Sequence, residues 1–543
     1  MKRISCRLAL AAGLVLACPA FAGLAHANDQ SHHDAAMQNL KHIIVVMMEN
    51  HSFDNYFGAI AYKDGGPYHP ADADHDHGNG NGRDGDDHGN NSVDGGCRPD
   101  DHRCVDGLTC QVQHDGSLSC ANVNVNAAGQ TVRSFHDSNR CVGPDLDHGW
   151  VGSHNEANFV DPNDALRRFR DDGFVRQNAE SEGNVDETMG FYTDADIPFY
   201  WDLAQKFAIS DRHFCSLLGP TFPNRAYSLA ATSFGHLTTS EELPPAGTNG
   251  YAPLTGTIFD LLDRHAVTWA DYFADVPAGG SFRQFALTAA GGIAADPHFL
   301  PVQIFMEQVS GVAGAPELPQ VSFVDPAFGL LGTETDEHPP TDIQRGQAYL
   351  SQIVNAVRNG PYWKDSIIFI TYDEHGGFYD HVKPPRAPQG GERTPDGIAP
   401  GQCADASNLP ASAQPGGGAN CAESVTGNAE ELCAAFAANP TGPYPLACAS
   451  FDQLGFRVPF IAVSPFSRPG YVSHTVGDHT SVLALIEKRF AVPFGKNGED
   501  HPHLTRRDQF ANTLEDMFDF ENSPSLHTPV ITAGPPVNDC TPK

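Results

Sequence analysis

The chain has 543 residues, with 67 acidic against 33 basic side chains and a formal charge of −34 at pH 7. That length suits one large α/β domain with insertions. The charge excludes nucleic acid and an anionic membrane surface as partners, because both demand clustered Lys and Arg. A zwitterionic or small anionic substrate remains compatible if positive charge is gathered at a metal site.

The first 27 residues read as a secretory leader. Lys2, Arg3 and Arg7 open it, Leu8 to Leu16 form an apolar core, and Ala25-His26-Ala27 is a small-x-small cleavage site before Asn28. A lipoprotein signal ending before Cys18 is the competing reading. No other apolar run is long enough to span a bilayer, so the mature chain is expected outside the cytoplasm, secreted or periplasmic. Cys6 and Cys18 leave with the leader, so eleven of the 13 cysteines remain. Cys97, Cys104, Cys110, Cys120 and Cys141 form one cluster, and Cys403, Cys421, Cys433 and Cys448 form another. In an oxidising compartment such clusters read as disulfide-stapled insertions. The odd total leaves one thiol over, and Cys215, in a core-like stretch, is the expected one.

In chain order, Ile43 to Met48 reads as a buried strand that breaks into Glu49-Asn50-His51-Ser52-Phe53-Asp54. Ligands bind at strand ends in open α/β sheets, and a carboxylate beside an amide offers hard oxygen donors to a divalent cation. The plainer reading is a strand followed by a helix capped by Ser52 or Asp54. Residues 62–141 read as one insertion, opening with an Asp/His/Gly/Asn-rich stretch, Asp72 to Gly96, too polar to bury a core. This stretch is either a solvated loop or one ordered by a cation. Asp145 to Trp150 places His148 in a polar turn before a tryptophan.

Tyr200 to Phe207 has helical spacing. The turn Gly219-Pro220-Thr221-Phe222-Pro223-Asn224-Arg225 follows, with a helix predicted to start near Asn224. A hydroxyl ahead of a helix N-terminus suits attack on phosphorus, since backbone N–H groups and the helix dipole favour negative charge there. Thr255 to Trp269 predicts a helix and a strand start, and Gln320 to Asp325 a strand. Glu334 to Pro340 is a rigid turn containing His338, and Ile343 to Val357 is a helix. Ser366 to Tyr372 is the clearest strand and ends in Asp373-Glu374-His375-Gly376-Gly377. Adjacent carboxylates at a strand end repel unless a cation joins them, and the glycines let backbone come close to a ligand. Residues 384–454 read as a second, Pro/Gly/Cys-rich insertion. Arg457 to Pro465 is a strand, and Ser481 to Phe490 a helix that Asp478 caps. For His474 and His479 packing or capping is the plain reading.

Four of these stretches, MMENHSFDNYFG, PTFPNR, DEHPP and the strand ending in Asp373-Glu374, together resemble the bacterial phosphoesterase family. That family holds phosphatidylcholine-type phospholipases C and acid phosphatases and is a branch of the alkaline phosphatase superfamily. The resemblance runs from about Leu40 to Phe490. It implies a three-layer α/β sandwich of alkaline phosphatase type, with a mostly parallel central sheet and disulfide-bearing insertions, residues 28–543 being one catalytic domain. It implies one divalent cation (calcium, magnesium, manganese or zinc) on Glu49, Asn50, Asp373 and Glu374 together with the nucleophile Thr221. His148, His338, His474 and His479 are implied to face the substrate phosphate, with His338 also a proton donor. Phospholipase C members carry Thr where acid phosphatase members carry Ser, so Thr221 leans toward a phospholipid substrate met at a membrane surface and cleaved through a phospho-threonine. A phosphomonoesterase on the same scaffold is the alternative. A secreted cation- or surface-binding protein working through the Asp/His/Gly loop is the remote one.

Overall fold

The computed structural model describes residues 36–71, 96–141, 145–158, 170–181, 187–239, 250–285, 296–329, 332, 334–388, 394–398, 403–408, 429–439, 443–491, 502–522 and 524–528. The expected leader and residues 72–95 of the Asp/His/Gly-rich stretch lie outside them.

Eight strands form one sheet: β1 (His42–Met48), β2 (Ala208–Ser210), β3 (Trp269–Phe273), β4 (Phe299–Pro301), β5 (Val321–Asp325), β6 (Ser366–Tyr372), β7 (Phe460–Val463) and β8 (Tyr471–Ser473). Their order is β4-β3-β5-β1-β6-β7-β2-β8. Only β7 runs antiparallel to its neighbours β6 and β2; the other pairs are parallel. The sheet is therefore mostly parallel, as expected. Parallel strands covered on both faces read as continuous apolar runs, which is why HIIVVMM and SIIFITY were so plain.

Successive side chains of β1 serve opposite faces. Ile44, Val46 and Met48 pack in one buried layer with Phe53, Tyr200, Leu203, Phe305, Leu350 and Val354. Ile43 and Val45 pack in the other with Ala226, Leu229, Ile258, Leu262, Leu483 and Ile486. The first layer brings α1 (Phe53–Phe57), α3 (Pro198–Lys206), α6 (Val302–Val309) and α7 (Ile343–Asn359) onto one face. The second brings α4 (Thr221–Ala230), α5 (Ile258–Arg264) and α8 (His479–Ile486) onto the other. This is a three-layer α/β sandwich. Each fully buried Val, Ile or Leu contributes roughly 1.5–3 kcal/mol, and a charge at the fully buried Val46 would lose that and add an unpaired buried charge. A further helix, α2 (Trp150–Ala157), packs outside these layers among Phe174, Leu217 and Phe451.

Residues 96–141 add two short strand pairs of their own and also pair with residues 69–70 and 190–191, all separate from the main sheet. Disulfides join Cys97 to Cys104, Cys110 to Cys120 and Cys433 to Cys448. Cys141 and Cys403 are also disulfide-bonded. Among the described residues Cys215 is the free thiol, and it is buried.

Register explains the site. Met48 pairs with Tyr372 in parallel, so β1 and β6 end side by side and deliver Glu49-Asn50 and Asp373-Glu374 to the same edge of the sheet.

Candidate active site

Asn50 turns the chain sharply after β1 at φ +67, a conformation Asn adopts more readily than most residues. Its backbone N–H donates to Asp373 Oδ1 at 3.2 Å, an oxygen that also accepts the Glu374 N–H at 2.8 Å. Gly376 must be glycine, because a β-carbon there would stand 2.1 Å from the Asn50 carbonyl oxygen. The two strand ends are thus tied by backbone before any ligand arrives.

Helix α4 begins at Thr221 itself, three residues earlier than Asn224, with Pro220 as its N-cap residue. The difference has a local cause. The buried Asn224 side chain reaches back, accepting from the Leu217 N–H at 2.9 Å and donating to the Gly219 and Pro220 carbonyls, so the preceding turn is held against the first helical turn. Thr221 lines a cavity of about 370 Å³ together with Glu49, Arg225, Glu334, Asp336 and His338. Phe222, Leu229, Val276 and Phe282 give the same cavity an apolar portion.

Arg225, one helical turn beyond Thr221, is the cation of this cluster. Its Nε and Nη2 lie 3.1 and 3.0 Å from Glu49 Oε1, and Nε lies 3.5 Å from Asp373 Oδ2. Nη2 also donates to the Met47 and Met48 carbonyls, and the guanidinium covers the Phe328 ring at 4.8 Å. Burial and the neighbouring Glu49 push the Asp373 carboxyl up to about 7, against the pull of Arg225. Burial and Glu49 likewise push Asp336 well above its ordinary range. One guanidinium therefore faces more buried carboxylate than it can neutralise. Hard oxygen donors in excess of the cations among the described residues suit a divalent ion, so Glu49 and Asp373 fit the expected one.

Glu374 is fully buried, and its oxygens also serve two histidines. Its Oε1 lies 2.6 Å from His148 Nδ1, and its Oε2 lies 3.2 Å from His375 Nδ1 and accepts the Gly376 N–H at 2.8 Å. Burial alone would raise its pKa, but His148 and His375 outweigh that and hold it well below the carboxylate range. His375 in turn meets Glu156 at 2.7 Å, and despite burial the Glu156 and Glu374 carboxylates raise it to about 9. His148 also lies 3.4 Å from Asp145 Oδ2, and His338 Nε2 lies 3.9 Å from that same oxygen. Asp145, His148 and His338 form one of the clusters whose ligating atoms all lie within 4.8 Å of one another.

Glu49, Asp373, Thr221 and His338 are thus gathered at one edge of the sheet, with His148 joined to them through Glu374. His479 sits behind the site, its Nε2 2.7 Å from the Asp373 carbonyl oxygen and its ring buried, which makes it a support for that strand end. Asp478 caps α8 as expected, accepting from the Thr480 N–H. His474 departs from expectation. It follows β8, three strands beyond β6, a lateral offset of roughly 14 Å. Its ring nitrogens are taken by Asp211 Oδ1 at 2.8 Å and the Asp101 carbonyl at 3.1 Å, so we do not carry it into the phosphate site.

Sequence reasoning missed Arg225, Asp336 and Asp145. Arg225 carried a signal: four residues after Thr221 on a helix, it faces the same side. Asp336 and Asp145 had none, since only tertiary structure brings Asp336 to the cavity and Asp145 to His148 and His338.

A model of the phosphoesterase family matches residues 40–493. The chain belongs to the phosphoesterase family. It is a phosphoric ester hydrolase, and curated relatives agree with that class. This phosphoesterase is similar to non-specific phospholipase C6 of Arabidopsis thaliana, 30% identical over 370 residues, covering 66% of this chain and 58% of the plant protein. It is also similar to phospholipase C B of Mycobacterium tuberculosis (strain ATCC 25618 / H37Rv), 28% identical over 545 residues, covering 93% of this chain and 84% of that one. A solved protein of the alkaline phosphatase superfamily from Vibrio parahaemolyticus overlaps 59% of this chain and 64% of its own, at 9% identity and a TM-score of 0.30. The fold assignment above rests on strand order and layering instead.

Proposed function

We propose that this phosphoesterase is a secreted, metal-dependent phospholipase C that cleaves phosphatidylcholine-like lipids to diacylglycerol and a phosphorylated head group. The observation that carries the reading is the placement of Thr221 at the N-terminus of a ten-residue helix, in one cavity with Glu49, Arg225 and His338 and with an apolar lining of Phe222, Leu229, Val276 and Phe282. The helix N-terminus favours a phosphoryl anion, and the apolar lining suits the lipid side of the ester. Glu334 and Asp336, which also line the cavity, suit a cationic head group.

Glu49, Asn50, Asp373 and Glu374 are the residues we assign to one divalent cation, whether calcium, magnesium, manganese or zinc, which when bound would polarise the phosphoryl oxygens and the Thr221 hydroxyl. Thr221 Oγ1 gives up its proton to solvent and bonds to phosphorus as the bond from phosphorus to the diacylglycerol oxygen breaks. His338 gives that oxygen its proton. Water then attacks phosphorus and releases the head group with its phosphate from Thr221. Burial works against charge on His148, while Glu374 and Asp145 favour the protonated ring, which would offer positive charge to the phosphoryl group. The leader over residues 1–27 and the disulfides fit a secreted or periplasmic enzyme that meets membranes transiently. No helix of the described residues is long and apolar enough to cross a membrane.

The test is to incubate the mature protein with phosphatidylcholine and, separately, with p-nitrophenyl phosphate, with and without chelator. Diacylglycerol plus phosphocholine, lost on chelation, is the expected result. Phosphate released from the monoester alone would move the chain to the phosphatase side of its family.

A further inference from the structure

Glu337 separates two residues that line the cavity, Asp336 and His338, yet it faces the other way. Its side chain is fully buried and accepts three tyrosine hydroxyls: Tyr56 at 2.6 Å and Tyr372 on Oε2, and Tyr200 at 2.6 Å on Oε1. Its backbone stands at φ +76, a left-handed conformation that costs a residue with a β-carbon about 1–2 kcal/mol. Strain of this kind persists only where surrounding contacts over-determine it. Those contacts are present. His51 Nε2 lies 3.2 Å from the Glu337 carbonyl oxygen, and Gly346 of α7 admits the side chain where a β-carbon would stand 2.1 Å from Glu337 Cγ.

The three tyrosines come from chosen places. Tyr372 is the last residue of β6, directly before Asp373. Tyr56 lies on α1, which follows the Glu49-Asn50 turn, and Tyr200 lies on α3. The Glu49 N–H also donates to the Asp336 carbonyl at 2.8 Å. Both strand ends that carry the proposed ion ligands are therefore bolted to the one turn that carries His338.

We infer that Glu337 is a positioning residue: through its three tyrosine partners it sets the Asp336–His338 turn against the strand ends, so that His338 reaches the leaving oxygen. The inference rests on His338 being the proton donor of the proposed reaction. It explains why an ionisable side chain is buried among hydroxyls with no arginine or lysine beside it among the described contacts, and why a strained backbone is retained there.

The experiment compares an alkyl with an aryl leaving group on the same phosphoryl centre. The substrates are dioctanoyl phosphatidylcholine, whose alkoxide needs a proton, and p-nitrophenyl phosphocholine, whose phenolate leaves without one. General acid catalysis is worth about 10²–10⁴-fold. Glu337→Gln should lower kcat on the lipid by about 10²-fold and on the aryl ester by no more than a few fold, with Tyr200→Phe showing the same bias at smaller size. His338→Ala should show the bias most strongly. Equal loss on both substrates for Glu337→Gln and Tyr200→Phe, while His338→Ala keeps the bias, would overturn the role of Glu337 and leave the proposed mechanism standing. No bias in His338→Ala would overturn the proton-donor assignment and this inference with it. If Glu337→Gln does not fold, as judged by circular dichroism, Tyr200→Phe, which removes one hydroxyl of three, decides the matter alone.

Discussion

Two buried clusters of carboxylates lie within a few residues of each other after β1, and they are built on opposite principles. Around Arg457, charge is matched. Arg457 is fully buried, donating from Nε to Asp380 at 2.9 Å and from Nη2 to Asp54 at 3.0 Å, and from Nη1 to the carbonyls of Asp106 and Asp211. His381 bridges Asp54 at 2.7 Å and Asp106 at 3.2 Å, Arg212 pairs with Asp106, and His474 pairs with Asp211. Four carboxylates meet two arginines and two histidines. Around Arg225, by contrast, Glu49, Asp325, Asp336 and Asp373 share one guanidinium. The first cluster satisfies its own charge and stitches β2, the 96–141 segment and the residues after β6 together. The second is left with negative charge to spare, and an excess of buried like charge marks a place built to receive a cation or to do chemistry. A cluster of aspartates is therefore not informative by residue type; its charge balance is.

The largest expected effect falls on chemistry at the unbalanced cluster. Thr221→Ala should lower kcat by about 10³-fold or more, since a lost nucleophile has no substitute. A half-exposed threonine at a helix start should cost less than about 1 kcal/mol of stability. Turnover on phosphatidylcholine and thermal melting check the two halves; near-normal turnover would show that another group attacks phosphorus. In the balanced cluster, Arg457→Met should cost about 3–5 kcal/mol in urea unfolding, because Asp54 and Asp380 would keep buried charge without a partner. A loss under about 1 kcal/mol would mean the carboxylates find other partners and the matching is incidental.

Asparagine substitutions sharpen the comparison at single carboxylates. In chelator, Asp373→Asn should hold or raise stability, by up to about 1 kcal/mol, because it relieves repulsion with Glu49. Asp54→Asn should lower stability by about 2 kcal/mol by breaking charged hydrogen bonds. Added divalent cation should raise the melting temperature of the wild type and of Asp54→Asn but not of Asp373→Asn, as linkage requires of a ligand that binds only the folded state. A cation-induced shift that survives in Asp373→Asn would place the ion elsewhere.

The most gradual effect, read as a slope, is on pH dependence. Although burial opposes it, Asp54 and Asp106 raise His381 from 6.5 to about 10. The folded state thus binds its proton more tightly than the unfolded chain. That contribution is fully present below about 6.5 and is lost as pH rises through about 10. The expected slope between these values is at most about 1.4 kcal/mol per pH unit, and His381→Gln should flatten it. An unchanged slope in that variant would assign the dependence to other groups.

Much of the layout was legible beforehand. The strand Ser366 to Tyr372 was found at its true bounds, the opening strand began one residue earlier than predicted at His42, and the long helix began at Ile343 as predicted. These elements announce themselves because a strand buried on both faces must be apolar throughout and an amphipathic helix must repeat every 3.6 residues. Short strands such as Ala208–Ser210 and Phe299–Pro301 left no such trace, being three residues each. The start of α4 was misplaced because Asn224 acts from inside the helix on the turn before it, a contact without a periodic signature. His474 was grouped with the site histidines by the family resemblance, while strand order carried it three positions along the sheet.

Local sequence alone determined where the long strands and helices lie, and it put hard oxygen ligands and a hydroxyl near the ends of those elements. It did so because backbone hydrogen bonding and burial are satisfied over spans of a few residues. Which carboxylate meets which cation was decided only by tertiary structure. Arg225 reaches Glu49 across 176 positions of sequence, and Tyr56 reaches Glu337 across 281. Such pairings follow from strand order and helix packing, and electrostatic energy depends on distance in space, about which separation along the chain is silent.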